Sequence, residues 1–472
     1  MTRSAALLLM LSVASLLSCQ PASYVGDAVP AAAGERMPAF EGAAGFGRNA
    51  TGWRGGAVIK VTNLDDRGPG SLRACAEGSR PRVCIFEVAG TIDVDSTIAV
   101  GANVYLAGQT APGDGVQVRL GRASARPMMV RAANDVVIRH LRLRPGPSRV
   151  SSGSVDGIGI FDSHSVILDH LSVQYATDEL LAIGTLRGSV SDITVQDSLF
   201  AWGLDRANHP RGRHSKGALI CTMDRLGECG RISLVRNLFA HNRDRNPDVN
   251  GTATGPVEIV NNVFYNPNSQ FGEFYDGEGD LRVNYIGNTA LSGPSTRRAR
   301  PPYAVEIHND RSPTFDARVY VRDNIDGRHR PSGSEPDELV VRPEDRAYLA
   351  PEPFLPLTIE ALAPEAALER VLANAGATAP TRDRLDRQVV EDVINETGHI
   401  INNPAEAGGW PSLSSGPVPV DSDGDGMPDQ WEIGHGSDPQ AFDAWSDADG
   451  NGWANLEDYL NERAAGRAAT TQ

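Results

Sequence analysis

Between Trp202 and Asn250 the sequence carries nine basic residues, Arg206, Arg211, Arg213, Lys216, Arg225, Arg231, Arg236, Arg243 and Arg245, against five acidic ones. The whole chain runs the other way, with 44 Lys and Arg facing 60 Asp and Glu and a formal net charge of −16. A basic stretch inside so acidic a chain suits an anionic ligand, with a solvated basic face as the alternative. Lys216 is one of only two lysines, with Lys60. A second group near the C-terminus has metal-ligand spacing. DSDGDGMPDQWE sets side-chain oxygens at Asp421, Asp423, Asp425 and Asp429, Gly426 at the sharp turn and Glu432 at the twelfth position. DADGNGWANLED repeats the pattern with Asp447, Asp449, Asn451, Asn455 and Asp458. This is the spacing of an EF-hand-type calcium loop, which gathers about six to eight oxygens from one short segment. Pro-rich sequence stands where the helix entering the first loop would be, so a structural role is expected.

The charge excludes a general nucleic-acid binder, because the chain repels phosphate backbones. A hydrophobic content of 40% excludes a wholly disordered chain. No apolar run beyond the N-terminus is long enough to cross a bilayer. Residues 1–18 read as an export signal, with Arg3 followed by the apolar stretch Ala5 to Leu17. Leu16-Leu17-Ser18-Cys19 resembles a bacterial lipobox, so Cys19 is expected to be lipidated and residues 19–38 to form a tether. The expectation is an outer-membrane or cell-surface lipoprotein, touching membrane only through its anchor. A secreted or periplasmic protein is the alternative. Four cysteines remain in two local pairs, Cys75 with Cys84 and Cys221 with Cys229. An oxidising compartment favours these short-loop disulfides over the other pairings or free thiols.

The elements that must position these residues recur from about residue 95 to 325. Short β-rich runs end in a polar pair and an apolar residue: VVIRHLRL, VILDHLSV, ITVQDSLF, ISLVRNLF, VEIVNNVF and VYVRDNI. Repeats without a helical period indicate a solenoid. Partial alternation within each run indicates a strand with one buried face. Stacked rungs of this kind give an all-β, right-handed parallel β-helix, with Asn side chains laddered at the turns. A β-sandwich is disfavoured, because few Asn-Gly or Asp-Gly hairpin turns separate the runs. The expected organisation is a β-helix over 39–330 and a C-terminal extension over 331–411 that packs back on it and caps it. A linker over 412–420 and the two loops over 421–462 would follow, with few contacts across the linker. One clear helix is expected in the extension. Pro364 stands in its first turn and Gly376 at its end.

Five segments make a specific resemblance. FEGAAGFGRNATGWRGGAVIKVTNLDDRGPGSLR, VDGIGI, VILDHLSVQYATDE and the pair HSKGALI and HNRDRNPDV resemble pectate lyases of polysaccharide lyase family 1, over roughly residues 38–330. The resemblance implies a calcium site at Asp156 and Asp178, with Glu179 beside them. It puts Lys216 on the substrate-binding lysine and Arg245, in the R-x-P motif, on the catalytic arginine. His214, His241 and Arg243 are expected to contact substrate. The acidic tail resembles thrombospondin type 3 or dockerin-like loops. Two departures stand out: Ala182 replaces a second aspartate of the calcium cluster, and Asp248 and Asn250 stand where further arginines follow R-x-P.

The implied reaction is calcium-assisted β-elimination on polygalacturonate or a related uronate polymer by a monomer. Calcium and cationic side chains would stabilise charge developing at the uronate carboxylate. Arg245 sits uneasily as a base, since arginine normally keeps its proton. A glycoside hydrolase on the same scaffold would need two or three carboxylates, for which Asp162, Asp169 and Asp178 are available. A non-catalytic glycan-binding surface protein is the third reading.

Overall fold

The computed structural model describes residues 37–222, 227–251, 255–277, 279–309 and 311–466. The export signal, Cys19, nearly all of the tether and Arg225 lie outside the described residues. Each repeated run folds in the same way. In VVIRHLRL the strand Asn134–Arg139 ends at His140, whose φ of 52° is left-handed, and the strand Arg142–Leu143 leaves in a new direction. His170, Asp197, Arg236, Asn261 and Asp323 hold the equivalent corner at φ between 46° and 58°. One left-handed residue turns the chain without a loop, and His, Asp and Asn tolerate it better than β-branched residues do. The polar pair legible in the sequence is therefore the corner. Its second member forms the expected ladder. Nδ2 of Asn237 donates to Asn262 at 3.0 Å, Asn262 to Asn288 at 3.1 Å and Asn288 to Asn324 at 3.0 Å. These amides are buried, and stacking satisfies each from the next coil.

The described residues form three parallel sheets of ten, eight and nine strands, and between Arg82 and His308 each coil contributes one strand to each sheet in turn. The coil is a right-handed parallel β-helix, the hand of nearly all parallel crossovers. Val, Ile, Leu and Phe from the three sheets fill the interior as one continuous cluster. Both expected disulfides are present, Cys75–Cys84 and Cys221–Cys229.

The extension packs on the nine-stranded sheet. Besides the expected helix, Pro364–Asn374, it contains a second one, Arg384–Ile394. Charged residues between its apolar positions hid this helix in the sequence. Asp383 caps it, accepting from the backbone N–H groups of Leu385 and Asp386. Val371, Leu385 and Val389 bury against Tyr175, Leu199 and Leu238. Beside them, buried Arg142 and Arg144 pair with Asp383 and Asp386.

The tail is not the detached module that the sequence suggested. Met427, Trp431, Ala444, Leu456 and Leu460 bury in one cluster with Phe40, Trp53, Val83, Ile85 and Ile167. They cover the outer face of the ten-stranded sheet. Residues 412–420 are pinned on the way, where Ser414 N–H donates to Asp114 Oδ2 at 2.7 Å and the Ser414 carbonyl oxygen accepts from Asp114 N–H at 3.0 Å. A few apolar side chains in an otherwise acidic segment carry this docking. No helix among the described residues is long and apolar enough to cross a membrane.

Candidate active site

The eight-stranded sheet gathers the charged residues. Glu179 opens the strand Glu179–Gly184 and Lys216 opens Lys216–Thr222; they are register partners, and Lys216 is bridged in turn to Asp244. Stacking coils thus sets side by side residues about thirty positions apart. Asp178 immediately precedes Glu179, and Asp156 lies just ahead of the adjacent strand Ile158–Phe161.

Asp156, Asp178 and Glu179 are buried, and one oxygen of each lies within 4.8 Å of the others. Asp156 Oδ2 accepts from Arg126 Nε at 2.7 Å, while Oδ1 is buried without a partner. Burial pushes the Asp156 carboxyl up to about 6, with Arg126 opposing and Glu179 adding to it. Burial and then Asp178 push Glu179 up to about 7 against the pull of Arg245. Asp178 is raised by burial and by Asp156. Crowded hard oxygens with one left over are the donor set of a divalent cation such as calcium.

Arg245 lies across this cluster. Its Nη1 donates to Glu179, and its Nε is 3.5 Å from Asp248 Oδ2. Burial works to lower its pKa, but Glu179, Asp248, Asp244 and Glu273 outweigh that and hold it above the ordinary value. Lys216 Nζ is 2.5 Å from Asp244 Oδ1, and Arg243 Nε is 3.6 Å from Asp244 Oδ2. His214 Nε2 is 2.7 Å from Asp178 Oδ1, and its ring stacks on His209 at 3.7 Å. Burial, Lys216 and Arg245 outweigh nearby carboxylates and press His214 down to about 4.

One expected substrate contact is corrected. His241 is wholly buried, stacked on Trp202 at 5.7 Å, with Nε2 3.2 Å from Asp392 Oδ2 of the second extension helix. It packs the extension onto the coil and stands apart from the carboxylate cluster. Ala182 lies in register between Gly159 and Leu219, and the same column continues through Asp248, Glu273 and Glu306. The carboxylate absent at 182 thus has a counterpart two coils on, paired with Arg245. Burial first, then neighbouring acids, pushes Asp248 to about 6 and Glu273 to about 8. Sequence reasoning missed Arg126, His209, Asp244 and Glu273 as members of this site. Arg126 is 30 residues from Asp156, and Asp244 is 28 from Lys216. That is one coil in each case, and aligning the coils one under another was the signal that could have found them.

Both tail loops fold alike, each followed by a helix, Asp429–His435 and Asn455–Ala464. Asp421 accepts from Gly424 N–H at 2.8 Å and Gly426 N–H at 2.9 Å; Asp447 accepts from Gly450 and Gly452 at 2.7 and 3.0 Å. Gly426 sits at φ 95° and Gly452 at φ 96°, as the sharp turn requires. In the first loop Asp421, Asp423 and Asp425 each bring one oxygen within 4.8 Å of the others, with Glu432 beside Asp425. In the second, Asn451 Nδ2 donates to both Asp449 and Asp458. The ninth positions carry hydrogen bonds of their own within the loops. Asp429 accepts from the N–H and hydroxyl of Ser422, each at 2.7 Å, and Asn455 Oδ1 accepts from Ala448 N–H at 2.9 Å. These two residues close their loops.

No family model matches the chain. Curated relatives do. The "Probable pectate lyase C" of Aspergillus flavus is 36% identical over 454 residues, spanning 95% of this chain and 97% of that protein. Its counterpart in Aspergillus oryzae is 35% identical over the same length and the same shares. The corresponding Aspergillus terreus protein is 34% identical over 429 residues, 90% of this chain and 93% of its own. At such identity over nearly the whole of both chains, this protein belongs to the pectate lyase family and is a polysaccharide lyase.

Proposed function

We propose that the protein cleaves polygalacturonate, or a closely related uronate polymer, by β-elimination with calcium, leaving unsaturated oligosaccharides. The observation that carries this reading is the buried triad Asp156, Asp178 and Glu179 set directly against Arg245 and Lys216. Asp156, Asp178 and Glu179 would hold the ion. Bound to a uronate carboxylate, it would stabilise the negative charge that develops when the neighbouring carbon loses its proton. Lys216 neutralises a second carboxylate. His214 orients Asp178.

Arg245 is the base. It takes the proton from the carbon beside the carboxyl. The electron pair of the broken C–H bond forms the double bond, the glycosidic C–O bond breaks with its pair going to oxygen, and water supplies the proton that this oxygen takes up. As paired here, Arg245 holds its proton firmly. With Glu179 engaged as a ligand of the ion, that partner would be withdrawn, leaving Asp248, Asp244 and Glu273 to oppose burial. The guanidinium then becomes a stronger proton donor and its conjugate form more accessible, so activity belongs on the alkaline side. A rate optimum below about pH 6 would contradict Arg245 as base.

The raised carboxylates give a pH test of the ion site. An acid whose folded pKa lies above its unfolded one binds its proton more tightly when folded. Their contribution to stability therefore falls as pH rises from the ordinary carboxylate range to the folded values, about 6 for Asp156 and about 7 for Glu179. Chelator-treated protein is expected to lose melting temperature through this window, and calcium to restore most of it at the upper end. A calcium response that shrinks with rising pH would contradict the assignment. Initial rates on a panel of uronate polymers, with and without chelator, test the activity itself; equal rates in both conditions would remove the metal from the account.

The N-terminal sequence supports an exported protein, with Cys19 as a lipid anchor and residues 19–38 as the tether. The mass of the mature N-terminus decides between that and a plain cleaved signal. The tail loops are read as structural calcium sites.

A further inference from the structure

Resting on that reading of the tail as calcium-binding, we infer that the first loop takes its fifth carboxylate from Asp443, outside the twelve-residue motif, and that the ion so held clasps the tail to the β-helix. Asp425, Glu432 and Asp443 bring one oxygen each within 4.8 Å of one another, and Asp421, Asp423 and Asp425 do the same alongside. Glu432 is fully buried, yet both of its carboxylate oxygens lack any hydrogen-bond partner, and so does Asp423 Oδ2. A buried carboxylate left wholly unpaired is costly, and a hard cation is the ligand that satisfies it. Asp429, which the motif assigns to this site, is instead turned outward onto Ser422.

Asp443 is held in place from both sides. Its N–H donates to Asp425 Oδ2 at 3.3 Å, Asn455 Nδ2 donates to its Oδ1 and Asp438 N–H to its Oδ2, each at 3.1 Å, so that, unlike Asp429, it is oriented with an oxygen against Asp425 and Glu432. The two residues that follow dock on the β-helix. Ala444 is fully buried, and Trp445 Nε1 donates to Gly56 O at 3.0 Å beside Trp53. On the far side of the site, Asp421 Oδ2 is 2.9 Å from Lys60 Nζ on the first strand, Ala57–Val61. Drawing Asp443 and Asp421 onto one ion therefore draws both edges of the tail onto the same face of the coil. Calcium fits this set better than magnesium, which prefers few carboxylates and retains water.

The test is calcium titration of the full chain from a chelated start, read by tryptophan emission and melting temperature. Trp431, Trp445 and Trp53 all lie at or beside this contact. Asp443→Asn is compared with Asp429→Asn, and Glu432→Gln serves as the control that any reading of the loop requires; circular dichroism of each variant checks folding. Asp443→Asn should weaken the apparent affinity by about tenfold or more and reduce the calcium-dependent rise in melting temperature. Asp429→Asn should leave affinity within about twofold, because only a loop-closing hydrogen bond changes. Equal loss in both variants, or loss in Asp429→Asn alone, overturns the assignment of Asp443. No calcium response in the unaltered chain overturns the calcium reading of the tail as well. Neither result bears on lyase activity, which these readouts do not measure.

Discussion

Arg245→Lys should reduce turnover by about two to four orders of magnitude while the protein stays folded. Lysine keeps the positive charge, so loss of activity cannot be laid to net charge. It does not keep the planar fork that lets one guanidinium lie between Glu179 and Asp248. If Arg245 were only a clamp for the substrate carboxylate, Lys should raise KM and leave kcat nearly unchanged. The account predicts the opposite split, with kcat falling most. Lys216→Ala should show the clamp pattern. Its ammonium lies beside Asp244 in the same column as Glu179, placed to meet a carboxylate and not to move a proton. Retention of near-normal kcat in Arg245→Lys would move the search for the base elsewhere in the cluster.

Removing everything after residue 411 should lower the melting temperature by roughly 10 °C or more, with turnover at low temperature largely kept. Trp53, Phe40, Val83, Ile85 and Ile167 would lose the cover of Met427, Trp431, Leu456 and Leu460. Each large apolar side chain returned to water costs about 1.5–3 kcal/mol, so even partial exposure amounts to several kcal/mol. The active-site cluster lies on the eight-stranded sheet and the tail covers the ten-stranded one, so the site itself is not dismantled. Unchanged melting would mean that this face stands without its cover. Lost turnover in a truncated protein that is still folded would tie the tail to the chemistry.

The coil was legible in the sequence because its corners are chemical. A polar pair such as His140 or Asn261 with its neighbour recurs wherever the chain must adopt one left-handed residue, and the Asn ladder follows from the second position. Several residues of the candidate site were legible for a different reason. Arg245, Lys216 and Asp156 lie in local motifs whose order along the chain is distinctive. Their partners were not legible, because a parallel coil joins residues a full turn apart: Arg126 meets Asp156 and Asp244 meets Lys216 with no local pattern to announce either. His241 misled for the converse reason. It lies near the R-x-P motif in sequence, but its corner position turns it toward Asp392 and the extension. The tail misled through composition. Its acidic residues suggested a solvated module, while a handful of apolar ones, with Lys60 paired to Asp421, fix it to the coil.

The central claim is that this cluster eliminates and does not hydrolyse. The mass of the fragments released from polygalacturonate in the presence of calcium tests it most directly. The account predicts fragments one water short of the saturated oligomers, carrying ultraviolet-absorbing unsaturated ends, and their loss in Arg245→Lys. Saturated fragments that have gained a full water at each cleavage would contradict it and assign the carboxylates of this sheet to hydrolysis.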